Sequence, residues 1–316
     1  MVRSRNLEKA PLKLNRCIAG NPFLPCCRTT YGERMADSQS RVVTVNRVSL
    51  RTVETGRGQG LIVIHGSLDG MLSFRRQVPA FAERYRVVSY ARRHHPPSES
   101  PAGTDGYTLG DHVADLLALM DALDMEQPHI VGSSYGAYVA LAMALRSPQR
   151  ARSLVLGEPP ILPFLERTAE GSVELAAFMQ SALEPAREAC VEGNLRGGVA
   201  YFVDGIRELP GAFDALPEAA QSELLRFGPE LALELTTERE RFMPAIPCEA
   251  LARLTTPVLL VTGERSPRLF SRITDELARC LPNAHHIDIP GAGHAMHVMQ
   301  PALYTQAVLD FLASRE

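Results

Sequence analysis

The sequence predicts an α/β protein: a mostly parallel central sheet covered by helices on both faces, with an inserted helical lid. Three observations predict it. Short, wholly apolar runs such as Leu61-Ile62-Val63-Ile64 end in glycine- or serine-rich turns, as strands buried on both faces do. Stretches with apolar residues at helical spacing alternate with these runs, the pattern of a parallel sheet with crossover helices. Residues 159–249 contain no comparable strand run and read as helices separated by Pro185, Gly193, Gly211, Pro217 and Pro229.

Taken in order, residues 41–54 alternate apolar and polar side chains around Asn46, which predicts a two-stranded hairpin. Residues 61–64 form a buried strand ending in His65-Gly66. Residues 74–84 are helical by pattern and 85–90 are a strand. Residues 109–123 carry Val113, Leu116, Leu117, Met120 and Leu123 at helical spacing. A strand over 128–132 runs into Ser133-Ser134-Tyr135-Gly136 and a small-residue helix over 137–145. Strands follow at 153–156, 257–261 and 284–289, and a helix over 301–312 closes the pattern. The organisation is therefore a core of residues 37–158 and 250–316 interrupted by the segment 159–249. Residues 1–36 are basic, with prolines and no apolar periodicity, and read as a disordered or over-annotated leader before a natural start near Met35.

Composition narrows the function. With 45% hydrophobic and 22% charged residues and a formal net charge of -3, the chain has an ordinary globular make-up and no basic footprint for nucleic acid. Its apolar stretches are shorter than the roughly 20 residues that span a bilayer, so no membrane segment is expected. The six cysteines, at 17, 26, 27, 190, 248 and 280, show neither a C-x-x-C pair nor regular spacing. They read as scattered thiols of a cytoplasmic, reducing setting, with no disulfide framework. The pairs His94-His95 and His285-His286 lack a ligand pattern, so no metal and no cofactor are expected.

The chemistry concentrates at Gly132-Ser133-Ser134-Tyr135-Gly136, a G-x-S-x-G motif between an apolar strand and a small-residue helix. Its flanking glycines allow a sharp turn that exposes the central serine. From residue 41 onward the chain resembles the α/β-hydrolase superfamily, through His65-Gly66 after a strand, the serine motif, and Gly291-Ala292-Gly293-His294 after the last strand, in that family's order. The resemblance implies Ser134 as nucleophile and His294 as base, with His297 the local competitor and a packing histidine by preference. A serine hydroxyl needs such a base at neutral pH. It further implies an oxyanion hole formed by the backbone N–H groups of Ser67 and Tyr135.

The third member departs from the common pattern. Many relatives carry an aspartate three residues beyond the glycine of the penultimate core strand, but this chain reads Gly263-Glu264-Arg265-Ser266-Pro267. Two carboxylates fit the role. Glu158, in Leu156-Gly157-Glu158-Pro159-Pro160, lies where zearalenone-type lactonases and certain dehalogenases carry their acid, and is preferred; Glu264 is the alternative. A second departure follows residue 90, where an aspartate and a glycine-rich loop are common; Ala91-Arg92-Arg93-His94-His95-Pro96-Pro97 reads as a solvated loop meeting acids of the lid.

Phe164, Phe178 and Met179 are candidate pocket residues in the lid. The chain has no tryptophan for a halide site, and the motif serine stands where dehalogenases and epoxide hydrolases use a carboxylate. The expected activity is hydrolysis of a small, largely apolar ester or lactone. Alternatives on the same residues are carbon-carbon bond hydrolysis, cofactor-free perhydrolysis, and a ligand-binding sensor on the same fold.

Overall fold

The computed structural model describes residues 38–99 and 107–315; the expected leader and the cysteines at 17, 26 and 27 lie outside them. Eight strands form one sheet in the order β1-β2-β4-β3-β5-β6-β7-β8. They are β1 Gln39–Val45, β2 Val48–Thr55, β3 Gln59–Ile64, β4 Tyr85–Tyr90, β5 His129–Ser133, β6 Ser153–Gly157, β7 Val258–Gly263 and β8 Ala284–Ile289. The hairpin β1-β2 and the β2-β4 pair are antiparallel, and every other pair is parallel.

The helices of the first half are α1 Val78–Phe81, α2 Leu109–Ala122 and α3 Tyr135–Arg146. Thr108 begins α2 with a reciprocal cap: its hydroxyl accepts from Asp111 N, and the Asp111 carboxylate accepts from Thr108 N. Between β6 and β7 the chain is helical, with α4 Ala169–Phe178, α5 Glu184–Val191, α6 Leu195–Arg207, α7 Glu218–Leu225, α8 Gly228–Thr236, α9 Arg239–Phe242 and α10 Cys248–Leu251. After β7 come α11 Arg268–Cys280, then α12 Met296–Met299 and α13 Pro301–Ala313.

The wholly apolar strands are explained by two core layers. Successive side chains point to opposite faces. Ile62, Ile64, Ile130, Leu154, Leu156 and Leu260 therefore join the layer under α2, α3 and α11. Their neighbours Leu61, Val63, Val131, Val155 and Val261 join the layer with Phe81 of α1 and Val308 and Phe311 of α13. Truncating a fully buried residue such as Leu154 to alanine would cost about 2–5 kcal/mol. A third, smaller cluster packs Leu68 of the loop after β3 against Val199, Phe213, Phe227 and Leu231 of the helical segment.

Two expectations are corrected, and one helix is added. Residues 74–84 are mostly turns, with α-helix only at Val78–Phe81. Residues 73–77 close tight i→i+3 bonds, and the one helical stretch starts with Pro79 in its first turn and ends at Phe81. The amphipathic α11 had no counterpart in the sequence reading. The cysteines are not all scattered thiols, since Cys248 at the start of α10 is disulfide-bonded to Cys280 at the end of α11, 32 residues apart, while Cys190 is free and buried. That pairing arises from helix packing, to which sequence spacing is blind. Among the described residues, no helix is long and apolar enough to cross a membrane.

Candidate active site

β5 delivers the chain into a sharp turn at Ser134, whose φ of 52° and ψ of -122° lie outside the usual regions for an L-residue. Ser134 N donates to Gly157 O at 2.7 Å, which ties the turn to the end of the neighbouring strand. The flanking glycines are there because nothing larger fits. A Cβ on Gly136 would lie 2.3 Å from Ile64 O, and one on Gly132 would lie 2.5 Å from Gly136 O. Gly66 is nearly as constrained, with its would-be Cβ 3.0 Å from Ser134 Cβ.

Glu158 follows β6 with a left-handed φ of 44° and is fully buried. This backbone turns its carboxyl group towards the loops at the ends of β7 and β8. Oε1 accepts from Gly263 N at 2.8 Å and Oε2 lies 2.6 Å from His294 Nδ1. A carboxylate only accepts, so Nδ1 carries the proton and Nε2 of the neutral ring keeps its lone pair. The imidazole also stacks on Phe270 of α11, with ring centroids 4.1 Å apart. Glu264 is exposed and caps Gly291 N through Oε2 at 2.7 Å. The structure therefore brings Glu158 and His294 together and sets Glu264 apart. Among the described residues no hydrogen bond joins the Ser134 hydroxyl to His294.

Ser67 and Tyr135 flank Ser134 in the lining of one cavity. Among the described residues neither of their backbone N–H groups has a backbone partner, the ordinary condition at a helix N-terminus such as that of α3. The cavity walls are apolar, with Phe178, Phe202, Phe242 and Met243 from the helical segment and Phe270 from α11; the one charged lining residue is Glu234 of α8. Of the expected pocket residues, Phe178 lines the cavity. Phe164 and Met179 do not, because both pack into the interior instead, Phe164 beneath the Arg167 guanidinium. Phe242, Phe270 and Glu234 went unread in the sequence, although α11 and its Phe270 carry a recognisable helical pattern.

His297 is a packing residue. It is buried, stacks on Phe74, and bonds Ser73 Oγ through Nε2 at 2.9 Å. Burial, with the neighbouring His294 and Arg75, pushes its pKa down to about 3. Ser73 donates in turn to Asp69, whose carboxyl group burial pushes up to about 6.

The loop after β4 is not solvated, which corrects the sequence reading. Arg93 forms a two-pronged pair with Asp115 of α2, at 2.7 and 2.8 Å. Arg92 is fully buried and meets Glu234 at 3.2 Å, so the expected contact with an acid of the helical segment is present in a dry setting. His65, His95 and His112 surround this pair, and burial holds all three well below the usual histidine range. Among the described residues no cluster could hold a metal ion.

The chain belongs to the alpha/beta hydrolase fold family, whose model matches residues 60–301. It is 25% identical over 279 residues to 2-(acetamidomethylene)succinate hydrolase from Mesorhizobium japonicum, covering 86% of this chain and 95% of that protein. It is 28% identical over 323 residues to epoxide hydrolase A from Mycobacterium tuberculosis, covering 89% and 99%. Among solved structures, a thermophilic esterase from Thermogutta terrifontis superposes with a TM-score of 0.67 at 22% identity, covering 88% of this chain and 99% of that one. The protein is thus a hydrolase with a small-molecule substrate.

Proposed function

We propose that the protein is a serine hydrolase that cleaves small, largely apolar carboxylic esters or lactones through an acyl-enzyme on Ser134. The observation that carries this reading is the strained Ser134 in the lining of an apolar cavity whose wall includes Phe270, the ring on which the His294 imidazole stacks while Glu158 holds its Nδ1 at 2.6 Å. In the proposed mechanism Ser134 Oγ attacks the carbonyl carbon while His294 Nε2 takes its proton. The N–H groups of Ser67 and Tyr135 receive the oxyanion. The carbon-oxygen bond then breaks, and the imidazolium returns the proton to the leaving alcohol. Water, deprotonated by His294, releases the acid and restores Ser134. In a lactone the leaving alcohol stays tethered to the acyl group.

Glu158 is the proposed orienting acid, and the segment 159–249 the proposed lid, because its side chains form most of the cavity wall. No cationic side chain is among the residues lining the cavity, and the one charge there is acidic. That favours neutral acyl groups over carboxylate-bearing ones. A serine at the elbow also favours acyl transfer over epoxide opening, which relies on a carboxylate nucleophile. A cytoplasmic setting belongs to the same proposal; the Cys248–Cys280 bond weighs against it, since disulfides persist in oxidising compartments.

The test is turnover of p-nitrophenyl esters from acetate to octanoate, and of neutral lactones followed by acid release, by the wild type and Ser134→Ala. Many turnovers by the wild type and a loss of at least about a thousandfold in the variant are expected. Stoichiometric binding with a single turnover would replace the enzyme with a sensor.

A further inference from the structure

Arg92 is fully buried, yet it does not line the cavity. Its bonds go to the loop after β3. Nε donates to His65 O at 3.2 Å and Nη2 to Gly66 O at 3.1 Å, while its own backbone N donates to His65 Nε2 at 3.0 Å. The guanidinium also sits 4.9 Å above the Tyr135 ring. From the other side, Glu234 of α8 accepts from Nη2 at 3.2 Å and from Tyr107 OH at 2.8 Å. His112 Nε2 lies 3.4 Å from Nη1.

One of these contacts is aimed at chemistry. The carbonyl of Gly66 and the N–H of Ser67 belong to a single peptide plane, and in a trans peptide the two point in opposite directions. Gly66 O accepts from Arg92 Nη2 and, at 2.9 Å, from His65 Nδ1; holding this oxygen fixes the direction of the Ser67 N–H, and the arginine cation draws electron density onto it and strengthens the N–H as a donor. A cation is worth more in this role than a neutral donor, and a planar fork can reach two carbonyls and a carboxylate at once.

We propose that Arg92 is a positioning residue that fixes the Gly66–Ser67 peptide as an oxyanion donor, and that Glu234 on α8 clamps Arg92 in place from the helical segment. The proposal rests on the serine-hydrolase reading. It makes the docking of the helical segment a condition for a competent oxyanion site, through one buried ion pair that reaches no substrate from the arginine side. A purely structural ion pair would hold α8 to the core and leave the reaction untouched.

The two are separated by charge-balanced variants. Arg92→Met, Glu234→Gln, the Arg92→Met/Glu234→Gln double variant and Arg92→Lys are compared by steady-state turnover of p-nitrophenyl butyrate, by the rate at which a fluorophosphonate labels Ser134, and by Tm. The double variant removes the unpaired buried charge, so it should recover most of the Tm lost in Arg92→Met. Its kcat and labelling rate should stay about 10- to 100-fold below wild type, short of the full cost of deleting an oxyanion donor, with KM within about threefold. Arg92→Lys keeps the charge without the fork and should show the same kcat-against-KM split if Arg92→Met does not fold. A double variant or Arg92→Lys within about twofold of wild-type kcat overturns the proposal. A wild type that neither turns over the ester nor labels at Ser134 overturns the serine-hydrolase reading, and the role of Arg92 with it.

Discussion

His294 Nδ1 lies 2.6 Å from Glu158 Oε2, and the same carboxyl group is anchored from behind by Gly263 N at 2.8 Å. The imidazole is thus held by a residue after β6 and the acid by a residue of β7. Replacing Glu158 with glutamine keeps the shape but offers Nδ1 an amide that can donate, which stabilises the wrong tautomer. Glu158→Gln is expected to lower kcat by about 10³- to 10⁴-fold. Glu264→Gln, which touches only a loop N–H, should stay within about twofold. Steady-state kinetics on one activated ester decides between them, and the reverse ranking would move the acid to Glu264.

Gly66 tests how tightly the loop after β3 is set against the serine. A Cβ there would lie 3.0 Å from Ser134 Cβ and 3.2 Å from Ser133 O, so one side or the other must shift by a few tenths of an ångström. Gly66→Ala is expected to cost at least about tenfold in kcat/KM, because positioning errors well below 1 Å already matter. Tm should fall by only a few degrees, and an unchanged kcat/KM would mean that the loop adjusts freely.

Stability should carry a pH signature from Glu230 on α8. Burial is the main cause that pushes its pKa up to about 7, with the nearby Glu234 raising it further and Arg92 opposing. Its Oε2 has no hydrogen-bond partner among the described residues. The folded state therefore holds this proton more tightly than the unfolded chain, whose glutamates titrate near about 4.3. The resulting stabilisation is complete below the unfolded value and is lost as pH rises through about 7. Glu230→Gln should flatten the decline of Tm between pH 5 and pH 8 and raise Tm at pH 8. Parallel Tm profiles for the two proteins would show that Glu230 titrates normally.

The Cys248–Cys280 bond staples α10 to the far end of α11, the helix that carries Phe270 against His294. Closing a loop of 32 residues should contribute about 3–4 kcal/mol by restricting the unfolded chain. Cys248→Ser, or reduction by dithiothreitol, is expected to lower Tm by several degrees. Intact-mass measurement before and after alkylation checks the bond directly; alkylation of both thiols without reductant would show that it does not form.

Much of this arrangement was legible because strands buried on both faces must be apolar throughout, and turns must carry glycine. Residues 61–64, 128–132 and 153–156 announced the sheet in that way, and Gly132 and Gly136 marked the turn at Ser134. Glu158 was readable as a candidate from its place after a strand. Its left-handed backbone and its contact with His294 were not, since they depend on where β7 and β8 come to lie. Arg92 defeated the reading for a related reason. A run of basic residues looks solvated in sequence, and only the fold supplies the carbonyls and the Glu234 carboxylate that permit burial. Over 74–84 the apolar spacing yields only the short helix Val78–Phe81 set between tight turns.

Ser134 and Glu158 leave adjacent strands joined by one crossover helix, α3, and the chain enters the helical segment only after both are in place. The wall of the cavity is therefore encoded as an interlude, downstream of the paired strands that set these two side chains in register. That segment can lengthen or shorten while the floor beneath it keeps its spacing, so long as α8 still presents Glu234 to Arg92. Variation in this family member's choice of substrate then falls to the residues between β6 and β7, at little risk to the residues that do not vary with it.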